Sequence, residues 1–123
     1  MEKKKYDLPG RTFEFACRVV LLCKILVKKP GVSRTLANQL LRSGTSIGAN
    51  VEEGQSGQSR ADFVSKYSIA CKEAREANYW LRLLEASGII QQPKLQDLID
   101  ESNQLIAILT TIIKKAKQSK NKT

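Results

Sequence analysis

The stretch "LLRSGTSIGANVEEGQSGQSRADF", residues 40–63, holds four of the chain's seven glycines. Gly44 and Gly48 fall where the apolar spacing runs as a helix, and glycine in a helix interior costs roughly 1 kcal/mol relative to alanine. Two readings compete. A phosphate-binding P-loop needs GxxxxGK[ST] between a strand and a helix. Here Gly48 is followed by Ala49 and Asn50, with no lysine and no strand pattern before it. The spacing of four instead stacks Gly44 and Gly48 on one helix face. With Ser43 and Ala49 they form a flat strip, which lets a second helix come closer than the usual distance of about 8–10 Å. The alanines of the following helix are the expected partners. Gly54 and Gly57 read as loop and cap residues, where a positive φ costs glycine little.

Working outward, the helical period recurs in four segments, and no segment shows the alternation of a half-buried strand. The first spans about residues 10–29. Phe13, Ala16, Cys17, Val20 and Val27 recur at helical intervals, with further apolar residues at Leu21, Leu22, Ile25 and Leu26. That breadth implies burial on more than one side. The second spans about residues 33–55, with Ser33 as the expected N-cap. Its apolar face is Leu36, Leu40, Gly44, Ile47 and Val51, with Ala37, Leu41 and Gly48 beside it. The third begins at Ser59, which with Asp62 resembles a capping box. Phe63, Tyr67, Ala70, Ala74, Ala77, Leu81 and Leu84 then alternate by four and three until Gly88 ends the helix. The fourth starts near Pro93, a favourable first-turn residue. It carries Leu95, Leu98, Ile99, Ser102, Leu105, Ile106, Leu109, Ile112 and Ile113 on one face and is expected to fray beyond Lys114.

Short connections between long helices favour antiparallel neighbours. The expected fold is all-α, an antiparallel up-down-up-down four-helix bundle. Residues 1–9 form a basic N-terminal tail, 10–113 the bundle, and 114–123 a lysine-rich tail. This topology sets the start of the first helix, the second connection and the end of the fourth helix at one end. Glu52 and Glu53 close the second helix, where the helix dipole disfavours acids. Lys114 and Lys115 are the expected compensation.

The chain of 123 residues carries a net charge of +9. Residues 1–5 contribute +2 and residues 114–123 contribute +5, while the remaining 108 residues carry 13 basic and 11 acidic side chains. The body is nearly balanced and the tails are basic. Such tails supply phosphate affinity that weakens with salt. The expected phosphate contacts are Lys3, Lys4, Lys5, Lys114, Lys115, Lys117, Lys120 and Lys122. Lys28, Lys29 and Arg34 form a second basic cluster at the other end.

Enzyme chemistry finds little support. The chain has no histidine, which weakens both nucleophilic cysteine and metal readings. Cys17, Cys23 and Cys71 lack CxxC spacing and read as reduced, buried thiols. Glu73 and Glu76 share a helix face, but no matching acid pair sits on another apolar face. Neither metal, cofactor nor small-molecule substrate is expected. The longest apolar run, residues 19–27, is short and broken by Lys24, so no membrane span is expected, and the chain reads as cytoplasmic. Trp80 lies outside the apolar seam with Ile69, Glu73, Glu76 and Leu83. A mixed stripe with a large aromatic suits a subunit interface, so a homo-oligomer is expected.

Residues 38–84 carry a wider pattern. A Gln39-Leu40-x-Arg42 start leads to Ser46, Ile47, Asn50, Glu53 and Gly54. A helix led by Phe63 with a Glu-rich face follows, then a Gly88-Ile89 turn. This resembles the four-helix-bundle proteins named after intervening sequences in bacterial large-subunit ribosomal RNA genes. The resemblance implies a ring-like homopentamer. It also implies kinship with accessory proteins of diversity-generating retroelements, basic pentamers that work with a reverse transcriptase and its template RNA. No catalytic residues carry over. Together, residues and resemblance suggest a non-enzymatic oligomer that binds RNA through basic ends. A protein–protein scaffold, for instance a reverse transcriptase partner, is the alternative.

Overall fold

The computed structural model describes residues 7–91 and 93–122. Four helices follow one another: α1 (Leu8–Leu26), α2 (Val32–Gln55), α3 (Arg60–Ala86) and α4 (Pro93–Lys122). There is no strand among the described residues.

The helix ends differ in part from expectation, and each difference has a local cause. Asp7 caps α1 by accepting from the Gly10 N–H at 3.3 Å, and Pro9 sits in the first turn, so α1 starts two residues early. Ser33 does not cap α2. Gly31 occupies that position at φ +92°. The Ser33 hydroxyl instead donates to the Leu26 carbonyl at 2.8 Å, and Arg34 Nε donates to the Val27 carbonyl at 2.9 Å. Both satisfy carbonyls that the end of α1 leaves without helical partners. Ser59 caps α3 as expected, accepting from Asp62 N–H at 3.0 Å. Gly88, at φ +70°, turns the chain out of α3. The fourth helix does not stop at Lys114 but continues through Lys122.

Pairs of touching residues establish the topology. Cys23 meets Ala37, Val19 meets Gly44 and Thr12 meets Gly48, so numbering rises along α1 as it falls along α2. Arg42 with Glu73 and Gln55 with Tyr67 do the same for α2 and α3. Asn78 with Ser102 and Cys71 with Thr110 do so for α3 and α4. The bundle is antiparallel, and α1 and α3 lie diagonally across it. The α1–α4 seam is the thinnest. Arg11 staples one half of it, donating to Glu101 at 2.8 and 3.0 Å and to Gln104 at 3.0 Å.

The third helix buries its expected seam, with Tyr67, Ala70, Ala74, Ala77, Leu81 and Leu84 almost fully enclosed. The first helix does not. Its core residues are Leu8, Phe15, Val19, Leu22, Cys23 and Leu26. Phe13, Cys17 and Val20, expected to help line the core, face outward instead, so Cys17 is not a buried thiol. A helix apolar on several sides gives the period no way to choose which stripe goes inside.

The glycine strip also meets a different helix. A methyl at Gly44 would lie 2.9 Å from Val19 Cγ1, and one at Gly48 would lie 3.1 Å from Thr12 Oγ1. The close approach is therefore to α1, where a β-branched valine and a buried threonine fill the strip. The alanines of α3 are not its partner. Gly54 is neither loop nor cap but an α2 residue packed on the Tyr67 ring, and neither it nor Gly57 has a positive φ.

Candidate functional site

The two basic ends are built on helix termini. At one end, Lys114, Lys115 and Lys117 stand exposed on α4 rather than on an irregular tail. Arg60, in the first turn of α3, reaches across and donates to the Ala116 carbonyl at 3.4 Å. This places a fourth cation among the lysines. Sequence reading missed Arg60 because only the pairing of α3 with α4 brings it there. The expected contacts at Lys3, Lys4 and Lys5 lie outside the described residues, as do the side chains of Lys120 and Lys122. Lys114 and Lys115 form no ion pair with Glu52 or Glu53. Glu53 is held by Lys66 of α3 at 2.8 Å, and this bond chiefly raises the Lys66 pKa. Lys114, Lys115 and Lys117 are thus uncommitted among the described residues.

At the opposite end, Lys28, Lys29 and Arg34 are all exposed. Lys29 lines a notch with Val32, Ser87 and Gly88, so this cluster lies beside the end of α3. Arg34 is partly occupied by its bond to Val27.

The mixed stripe of α3 lies along α2. Arg42 of α2 pairs with Glu73 at 3.4 Å and also with Glu76. The Trp80 indole N–H donates to the same Glu76 oxygen that Arg42 engages, at 3.1 Å. Trp80 and Leu83 are half-buried, while Ile69 is 39 % exposed. Glu73 and Glu76 therefore anchor the α2–α3 contact and hold Trp80 in place. The resemblance had already pointed to Arg42, but without a role.

A more exposed apolar surface lies on α1. Phe13 is 62 % exposed, Leu21 61 % and Ile25 49 %, with Val20 and Cys17 between them. Leu21 and Ile25 form one wall of a groove of about 510 Å³, whose far side is Leu95, Asp97 and Leu98 of α4. It occupies the half of the seam that Arg11 does not close. The apolar breadth of this segment was the signal in the sequence.

Cys23 and Cys71 are buried. Burial pushes the Cys23 thiol from 9.0 up to about 11, and it donates to the Ala37 carbonyl at 3.4 Å. Such a thiol is a poor nucleophile. Among the described residues, no group of three His, Cys, Asp or Glu side chains could hold a metal ion. No helix there is long and apolar enough to cross a membrane.

A comparison with curated proteins finds no match. Among solved structures, the chain is similar to a protein of unknown function from the S23 ribosomal protein family of Bacteroides thetaiotaomicron VPI-5482. The two share 42 % sequence identity with a TM-score of 0.80, over 90 % of this chain and 98 % of that one. The family model for the 23S rRNA-intervening sequence protein matches residues 4–111. With that match spanning most of the chain, and with the four-helix bundle in agreement, the protein belongs to the 23S rRNA-intervening sequence protein family.

Proposed function

We propose that the protein is a non-enzymatic homo-oligomer, a pentamer, that binds RNA through its basic ends. One observation carries the reading: Lys114, Lys115 and Lys117 stand on an ordered helix, joined by Arg60 and without acidic partners. Cations fixed on a helix lose less conformational freedom on meeting a phosphate than cations on a disordered tail. The family name and the relative's ribosomal label agree with an RNA partner.

The oligomer reading rests on the faces of α1 and α3. They lie on opposite sides of the bundle, one apolar and exposed, the other mixed and carrying Trp80. Two different faces meeting head to tail generate a closed ring when the rotation fits. In the alternative reading, a protein scaffold, a reverse transcriptase or another protein partner takes the place of a second subunit on the α1 face, with Leu21 and Ile25 of the α1–α4 groove as its apolar anchor.

The test is binding to a structured hairpin RNA across a salt series, with and without residues 114–123. Affinity should fall linearly on a log–log plot, and truncation should flatten the slope. Absence of salt-dependent binding by the full chain rejects the RNA reading.

A further inference from the structure

The body of the bundle carries a basic stripe of its own. Lys72, Arg75, Tyr79 and Arg82 follow at intervals of three, four and three, so they line one face of α3. All four are exposed. They lie on the α4 side of the helix, next to Cys71 and Asn78, which touch α4. The Glu73–Glu76–Trp80 stripe lies on the α2 side, and the two surfaces adjoin where Tyr79 meets Trp80.

The stripe is anchored from beneath. Arg82 Nε donates to Asn78 Oδ1 at 2.8 Å. Asn78 is only 7 % exposed and donates to Ser102 Oγ at 2.8 Å and to Asn103 Oδ1 at 3.2 Å. Ser102 donates in turn to the Ile99 carbonyl at 2.7 Å. A buried network thus fixes one edge of the guanidinium and leaves its Nη groups without a hydrogen-bond partner among the described residues. The Arg82 Cζ lies 5.8 Å from the Tyr79 ring centroid. Tyr79 packs edge-to-face on Trp80 at 5.1 Å, and Trp80 is held by Glu76. The tyrosine is half exposed but not loose. Lys72 and Arg75 form no ion pair among the described residues, so three cations share one stripe. Neighbouring like charges on a helix are mildly destabilising.

We infer that the outward face of α3 from Lys72 to Arg82 is a track for a single-stranded segment of RNA. Lys72, Arg75 and Arg82 contact phosphates, and Tyr79 stacks on an unpaired base. Ten residues of helix span about 15 Å, long enough to meet successive phosphates of one extended strand. The track also joins the two basic ends. Arg60 and Lys114, Lys115 and Lys117 lie at the start of α3, and Lys29 lies beside Ser87 and Gly88 at its end. One tyrosine stacks on any base, so the track reads charge and strandedness rather than sequence. This deepens the RNA reading above and rests on it.

The experiment uses the full chain with two probes, a uridine homopolymer and a blunt RNA duplex. In Lys72→Gln/Arg75→Gln, which touches no internal bond, the salt slope for the homopolymer should fall by about 1.4. Adding Arg82→Gln should bring the loss to about 2. Tyr79→Ala should weaken the homopolymer roughly tenfold and leave duplex affinity unchanged. If the full chain binds both probes and the variants match it in affinity and slope, the track is overturned while RNA binding at the ends stands. If the variants change the subunit count and not RNA affinity, the stripe is a protein interface and the track is again overturned. If the full chain binds neither probe, both readings fall together.

Discussion

Gly54 of α2 lies flat against the ring of Tyr67 on α3: a methyl group at Gly54 would come within 2.7 Å of Cδ1 and 2.8 Å of Cε1. Tyr67 is 1 % exposed, accepts from Gln55 Nε2 and stacks on Phe63 with ring centroids 4.1 Å apart. It has no room to retreat. Gly54→Ala gains roughly 1 kcal/mol of helix propensity but overpacks the core by more. A net loss of about 1–2 kcal/mol is expected in urea unfolding. An unchanged or raised midpoint would show that the ring moves freely.

The two glycines facing α1 should differ. At Gly44 a methyl group meets three carbons of Val19 at 2.9–3.3 Å, and a β-branched side chain has few rotamers to escape into. At Gly48 the nearest atom is Thr12 Oγ1 at 3.1 Å and the rest lie at 3.4 Å. Gly44→Ala should therefore destabilise by about 1–2 kcal/mol, and Gly48→Ala by less than 1 kcal/mol. Val19→Ala combined with Gly44→Ala should lose less than the two single changes added together. Simple additivity would mean that the two residues do not press on each other.

The Cys23 thiol sets a pH window. Once unfolded it ionises near 9.0, whereas the fold holds its proton until about 11. Between these values the unfolded state releases a proton that the native state keeps, so stability falls as pH rises. Below 9.0 the contribution is fully present. Urea midpoints of the native chain should drop more steeply across this window than those of Cys23→Ala. In the native state Cys17, which is exposed, should be alkylated first. Parallel midpoint profiles, or simultaneous labelling of both thiols, would contradict the burial of Cys23.

The exposed stripe of α1 should hold subunits together. Leu21→Glu, at a position 61 % exposed, costs the isolated bundle little. It should nevertheless shift the mass measured by light scattering towards the monomer, with helicity by circular dichroism retained. An unchanged mass would remove α1 from the interface.

How much of this was legible in the sequence depends on how one-sided each helix is. The seam of α3, from Tyr67 to Leu84, is apolar on one side and charged on the other, so its period alone identified the buried face. Segment α1 has apolar residues all round, and spacing could not separate the buried Phe15, Val19 and Leu22 from the exposed Phe13 and Leu21. The glycine strip was correctly placed on a helix face, but which neighbour it met depended on the tertiary arrangement. Gly54 was misassigned because an N-terminal turn signal, Ser56 to Ser59, follows so closely. The basic ends were visible as lysine runs. Arg60 and the Lys72–Arg82 stripe were not, because each is an isolated charge until helix pairing and helical phase bring it into register.

We propose an assembled bundle that carries RNA. Native mass spectrometry of the full chain mixed with the hairpin RNA tests both parts together. A homo-oligomer of five subunits should take up RNA and shed it as ammonium acetate is raised. A monomer that leaves the RNA free at the lowest salt would contradict it.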